Sequence, residues 1–215
     1  MLTAALAFAA AALLLTLTPG LDTMFVVRTS LANGPATGLV GGLGVCLGTL
    51  AWGAASAAGI TALLVASKLG YDVLRIAGAG YLTYVGLRML WSSRTQAAAV
   101  PLAAGRTVGR AEAFRTGLFT NLLNPKVGVF YITLLPQFVP PGTARLAAFG
   151  FSVLLAAIHA VEGIAWFALL AAGLARVRRL LARPGARRAL DRVTGVVFLG
   201  FGARIALEGR RLTAG

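Results

Sequence analysis

The stretch TPGLDTMFVV, residues 18–27, follows seventeen residues that are almost all alanine, leucine and phenylalanine. An apolar run of that length reads as a membrane helix, because a crossing takes about 20 apolar residues. Pro19 then removes a backbone donor and frees a carbonyl one turn earlier. Gly20 follows, and Asp22 places a carboxylate just beyond. A break of this kind is expensive where it faces lipid and belongs where protein or a water-filled cavity satisfies it. The stretch therefore predicts a helix broken inside the membrane.

The rest of the chain supports that environment. Its 215 residues are 58% hydrophobic and only 12% charged, with a mean hydropathy of +0.83, which excludes a soluble domain of this length. The N-terminal run lacks the basic n-region of a secretory signal and reads as a span. A net charge of +14 would suggest nucleic acid in a soluble protein. Here the arginines cluster instead: Arg94, Arg106, Arg110 and Arg115 in one segment, and Arg176, Arg178, Arg179, Arg183, Arg187, Arg188 and Arg192 in another. Without aromatics interleaved, ARVRRLLARPGARRALDR reads as a positive-inside signal and not as a nucleic-acid surface. The single Cys46 excludes an internal disulfide, a dithiol redox relay and a cysteine metal cluster, and no zinc, phosphate-loop or nucleotide motif is present. The expectation is no metal and no cofactor.

Uncharged stretches place six spans near 2–33, 36–66, 71–92, 114–139, 145–173 and 191–208. Six crossings put both arginine clusters on one face, the cytoplasmic one, and both termini on the other. The halves also resemble each other. A shift of 106 lays Pro19 on Pro125, Phe25 on Tyr131, Pro35 on Pro141 and Gly44 on Gly150. A shift of 116 lays Gly86 on Gly202 and Arg88 on Arg204. Three helices per unit would invert the second copy in the membrane. The expected fold is an all-α membrane protein of two inverted three-helix repeats, 1–92 and 114–215, joined by a basic cytoplasmic linker, 93–113. Its first and fourth helices are broken at proline near the midplane.

Polar groups gather at those breaks: Thr18, Asp22 and Thr23 beside Pro19, and Asn121, Asn124 and Lys126 beside Pro125. A charge at the bilayer centre costs at least about 2.5–3.5 kcal/mol on insertion scales, so it calls for a partner or a function. Asp22 and Lys126 match in depth and oppose in charge. They suit either a static ion pair or a site for a small zwitterion, with Asp22 facing its ammonium and Lys126 its carboxylate. Asn121 and Asn124, three apart on one helical face, would add neutral hydrogen bonds. His159 and Glu162 are likewise three apart, and with Asp22 they are candidates for proton coupling, although an interhelical hydrogen bond explains His159 equally well. Phe25, Tyr84, Phe130, Tyr131 and Trp166 are candidate lining side chains. Gly38, Gly42, Gly44 and Gly48 read as a close-packing stripe on the second span.

LTPGLDTMFVVRTSLANGPATGLVGGLGVCLG (17–48), FRTGLFTNLLNPKVGVFYITLLPQFV (114–139) and LDRVTGVVFLGFGARIAL (190–207) resemble the signature stretches and sixth helix of the lysine exporter and homoserine/threonine resistance (LysE/RhtB) family. The resemblance implies a bacterial inner-membrane exporter of amino acids or their derivatives, of the threonine, homoserine or lysine type, driven by protons. It carries the family's proline motif to Pro19 and Gly20, and its Asn-Pro-Lys motif to Asn124, Pro125 and Lys126. Leu21 departs from the pattern, standing where many members have a second proline. The partners expected are an amino acid, protons and the lipid bilayer, with no nucleic acid, and the sequence is compatible with a homo-oligomer. The competing readings are export of another small solute or ion on the same fold, and an intramembrane enzyme using His159 and Glu162. No nucleophile or metal set accompanies that last pair.

Overall fold

The computed structural model describes residues 1–66, 107–140, 142–173 and 184–213, together with residues 73, 76, 79, 80, 83, 84, 86–88, 90, 91 and 94. Helices account for the regular structure, and there is no strand among the described residues. In chain order they are α1 (Leu2–Leu17), α2 (Leu21–Asn33), α3 (Pro35–Ala66), α4 (Arg110–Leu122), α5 (Pro125–Val129), α6 (Arg145–Ala172) and α7 (Pro184–Thr213). A π-helical turn, Phe130–Leu134, and a 3-10 turn, Leu135–Phe138, continue α5.

Proline decides where these helices stop. The ring of a proline pushes the preceding residue out of the helical region, and both pre-proline residues obey: Thr18 has φ −71° and ψ 117°, Asn124 φ −80° and ψ 106°. The chain bends by 51° between α1 and α2, and by 51° between α4 and the Pro125–Phe138 segment. Leu21 is simply the first residue of α2, after an extended Gly20. α2 ends at Gly34, whose φ of 84° suits glycine, and Pro35 then opens α3 from the first helical position.

Two helices are long and apolar enough to cross a bilayer, Pro35–Gly59 of α3 and α6, and there are four crossings if each bent pair is one span. The chain is therefore a multi-pass membrane protein. Half of the expected third span, 71–92, lies outside the described residues, and its described positions from 73 to 91 are helical. Two expected boundaries shift. α4 starts at Arg110, four residues before the hydropathy edge, because Glu112 in its first turn complements the helix N-terminus. α7 starts at Pro184, a favoured first helical residue, and so carries Arg187, Arg188 and Arg192. Arg106 and Arg176 to Arg183 lie outside the described residues.

α3 is the central element, packed against α2, α4 and α6. Lipid supplies no hydrophobic drive between helices, so small residues that allow close approach do that work. A side chain on Gly38 would strike Ser30, one on Gly42 would lie 2.9 Å from Phe167, and one on Gly44 would strike the Phe114 carbonyl. On α4, Gly117 presses on the Gly41 carbonyl. The expected packing stripe is therefore borne out.

A second glycine seam joins the 79–91 segment to α7. A Cβ on Gly86 would meet the Gly195 carbonyl at 2.8 Å and Leu199, and a Cβ on Gly202 would meet Thr83 at 2.6 Å and the Ala79 carbonyl at 3.0 Å. These contacts run antiparallel and are reciprocal: a shift of 116 converts each into the other.

The breaks also divide the core. One apolar cluster joins α1 (Phe8, Ala12, Leu15) to Phe130, Tyr131 and Leu134 and to Leu155 of α6. Another joins α2 (Val26, Val27) to Val45 and Cys46 of α3 and to Phe167 and Leu170 of α6. Between them lies a cavity.

Candidate functional site

Each proline leaves one predictable orphan. Pro19 cannot donate to the Leu15 carbonyl, nor Pro125 to that of Asn121. The Leu15 carbonyl accepts instead from Lys126 Nζ at 2.9 Å, and the same ammonium donates to the Thr18 carbonyl at 3.0 Å. The cation from the second break thus caps the C-terminal end of α1, where the helix dipole is negative. The Asn121 carbonyl accepts from Asn124 N at 3.0 Å and from the Trp52 indole at 3.4 Å. Gly128 leaves room for that indole, since a Cβ there would lie 2.8 Å from its ring.

Asp22 sits in the first turn of α2, within electrostatic reach of Lys126. Its Oδ2 accepts from Asn121 Nδ2 at 3.0 Å, and the same amide reaches Thr49 Oγ1 at 3.4 Å. Asn121 is only 1% exposed, and its side chain fits because residue 48 is glycine, where a Cβ would lie 2.7 Å from Asn121 Oδ1. Asp22 Oδ1 and Asn121 Oδ1 are buried with no hydrogen-bond partner among the described residues. Asn124 does not share a helical face with Asn121 as expected. Pro125 ends α4 before it, and Asn124 becomes the N-cap of α5, its Oδ1 accepting from Lys126 N at 3.1 Å.

The cavity is small, about 40 Å³, with Leu15, Thr16, Thr18, Gly20, Asp22 and Thr23 from the first break and Asn121, Asn124, Lys126 and Val127 from the second. Val45, Cys46 and Thr49 of α3 and His159, Gly163 and Phe167 of α6 complete it. A volume of that order holds a few waters and not an amino acid. Of the residues expected at the site, Gly20, Asp22, Asn121, Asn124, Lys126 and His159 meet here, whereas Pro19 and Pro125 shape the breaks without lining the cavity.

His159 is satisfied on both sides. Its Nδ1 pairs with Tyr131 OH at 2.9 Å and its Nε2 with Thr16 Oγ1 at 3.1 Å, and the Tyr131 ring stacks on it at 5.7 Å. Glu162 does not line the cavity, and its Oε2 is buried without a hydrogen-bond partner among the described residues. The aromatic candidates are placed elsewhere: Phe25 packs on Gly41 and Gly117, Phe130 and Tyr131 lie in the core, Trp166 borders the second apolar cluster, and Tyr84 is exposed.

Sequence reading named Thr18 at the first break but missed its partner: Thr18 Oγ1 donates to the Leu14 carbonyl at 2.7 Å and pairs with Thr194 Oγ1 of α7, which ties the first break to the last helix. Thr16, Thr49 and Trp52 were also missed. Trp52 had a signal, since a proline-freed carbonyl in the membrane needs a donor and few side chains in the spans can supply one.

The LysE type translocator family matches residues 13–209. The threonine efflux protein of Escherichia coli K12 is 26% identical over 200 residues, covering 89% of this chain and 92% of its own. A leucine efflux protein of Klebsiella pneumoniae is 28% identical over 207 residues, covering 94% and 93%. An uncharacterized membrane protein of Pseudomonas aeruginosa is 32% identical over 193 residues, covering 88% of each chain. No solved structure matches the chain.

Proposed function

Because the chain belongs to the LysE type translocator family, we propose that it exports amino acids from the cytoplasm through alternating access around the cavity between its two broken helices. It is a translocator and not an enzyme, which removes the reading of His159 and Glu162 as an acid/base pair. The threonine and leucine efflux relatives support an amino-acid cargo.

The observation that carries the proposal is a cavity lined, among the described residues, by one carboxylate, Asp22, and one ammonium, Lys126. A zwitterion answers that arrangement. Its ammonium would satisfy Asp22 Oδ1, and its carboxylate would face Lys126 and the first-turn amides of α2, which have no partner within the helix. The present cavity is too small for this cargo, so loading requires the breaks to open. The two 51° bends are the natural hinges.

The same bends support an architecture of six crossings in two inverted units, 1–92 and 114–215, joined by the basic linker 93–113. Equal bends at equivalent prolines and the reciprocal Gly86/Gly202 seam are what a pseudo-two-fold axis in the membrane plane would produce. The arginine clusters support a cytoplasmic linker, and the bacterial efflux relatives support a bacterial cytoplasmic membrane. Proton antiport would supply the driving force, and Asp22 and His159, which line the cavity, are better placed to couple it than Glu162.

The test is efflux from proteoliposomes loaded with individual amino acids, with and without an imposed pH gradient. Protein-dependent efflux of at least one, accelerated by the gradient, is expected. No efflux across the whole panel would refute the proposal.

A further inference from the structure

We propose that the cavity selects uncharged amino acids with aliphatic side chains, received by an apolar subsite of Val45, Cys46, Gly163 and Phe167, and that it rejects basic ones. The inference rests on the zwitterion reading of the site and adds its substrate class.

The lining is polar at one end and apolar at the other. Thr49, which shares Asn121 with Asp22, lies three residues from Cys46, so the two occupy one face of α3 about one turn apart. On α6, His159 and Gly163 are four apart and also share a face. The two helices thus carry the lining in one direction, from the charged groups at Asp22 to Cys46 and Gly163. Those two residues touch: a Cβ on Gly163 would lie 3.1 Å from Cys46 Sγ and 3.8 Å from Phe167 Cε2. Phe167, one further turn along α6, closes that end.

Charge counting decides the class. Asp22 and Lys126 match the ammonium and carboxylate that every amino acid carries, and among the described lining residues no second carboxylate remains for a basic side chain. Glu162, next to Gly163 in sequence, does not line the cavity. Asp22 is within electrostatic reach of Cys46 but is already matched to the α-ammonium, so a lysine side chain directed into this subsite would bring a second ammonium among Val45, Cys46 and Phe167 with no second carboxylate on the described lining to answer it, which is disfavoured. An aliphatic side chain finds apolar contact there. Gly163 lets Cys46 pack closely against α6, and a side chain at that position would meet Cys46 Sγ at 3.1 Å and press the thiol toward the subsite.

The experiment compares leucine, alanine and lysine efflux from proteoliposomes containing wild type, Gly163→Ala or Cys46→Ala. Wild type should export leucine at least about tenfold faster than lysine. Gly163→Ala should lower the leucine-to-alanine rate ratio about tenfold or more, within the range of about 10–200-fold for one methylene in a hydrophobic pocket. Cys46→Ala, which enlarges the same subsite, should raise that ratio. Because the readout is a ratio within one preparation, loss of folded protein cancels. Lysine exported as fast as leucine, or a ratio unchanged in both variants, would overturn the inference while leaving amino-acid export standing. No efflux of any amino acid would instead overturn the function proposed above.

Discussion

Replacing Lys126 by methionine keeps the length of the side chain and removes its charge. The ammonium donates to the Leu15 carbonyl at 2.9 Å and the Thr18 carbonyl at 3.0 Å. Hydrogen bonds to a charged group contribute about 1.5–3 kcal/mol each, and two sharing one ammonium do not add fully. The Leu15 carbonyl has no fallback, since Pro19 already withholds its helical donor, and Asp22 loses its nearby cation. A destabilisation of about 3 kcal/mol follows, or roughly 6–12 °C at about 2–4 °C per kcal/mol for a chain of this size. Cys46 offers the assay. It is the sole cysteine and only 4% exposed, so a thiol-reactive fluorophore in detergent reports unfolding as the thiol becomes accessible. Efflux from proteoliposomes should cease. The double variant Lys126→Met with Asp22→Asn then separates the two roles open to the pair. Removing the unbalanced carboxylate should recover part of the melting temperature and none of the efflux. Efflux restored in the double variant would refute the site and leave a static ion pair. A Lys126→Met protein with wild-type melting and transport would refute the geometry itself.

Gly48→Ala tests a residue that no substrate needs to touch: its Cβ would lie 2.7 Å from Asn121 Oδ1 and displace the amide that holds Asp22. It should reduce efflux at least about tenfold and cost about 1–3 kcal/mol in the same melting assay, whereas Gly59→Ala, where a Cβ meets nothing within 4 Å, should be silent in both. Tyr131→Phe should lower stability by about 1 kcal/mol by removing the hydroxyl at His159 Nδ1, and unchanged melting would show that bond to be idle. Pro19→Ala returns an N–H to the Leu15 carbonyl, so it should raise the melting temperature while slowing efflux. A variant that melts lower would show that the break is not held against a helical alternative.

The hinge positions were legible because proline acts locally. One residue's missing N–H and ring fixed both the ends of α1 and α4 and the extended Thr18 and Asn124, and one subtraction along the chain identified the orphaned carbonyls. The members of the cavity were legible for a related reason, in that charge inside a membrane has to be answered, and so Asp22 and Lys126 identify each other in the sequence. The manner of answering was not legible. Lys126 also donates to backbone carbonyls and Asp22 also accepts from Asn121, because a break exposes carbonyls that a count of charged side chains does not include. Asn124 was misassigned by treating it as part of α4, although the rule that ends a helix before proline was already in hand. Glu162 drew attention by its charge and lies off the cavity, whereas Gly163 drew none and lines it, and Gly48 was legible only as part of a packing stripe and not as the residue that makes room for Asn121. Space left by an absent side chain has meaning only once the neighbour that fills it is known. For Gly48 that neighbour is Asn121, 73 positions away.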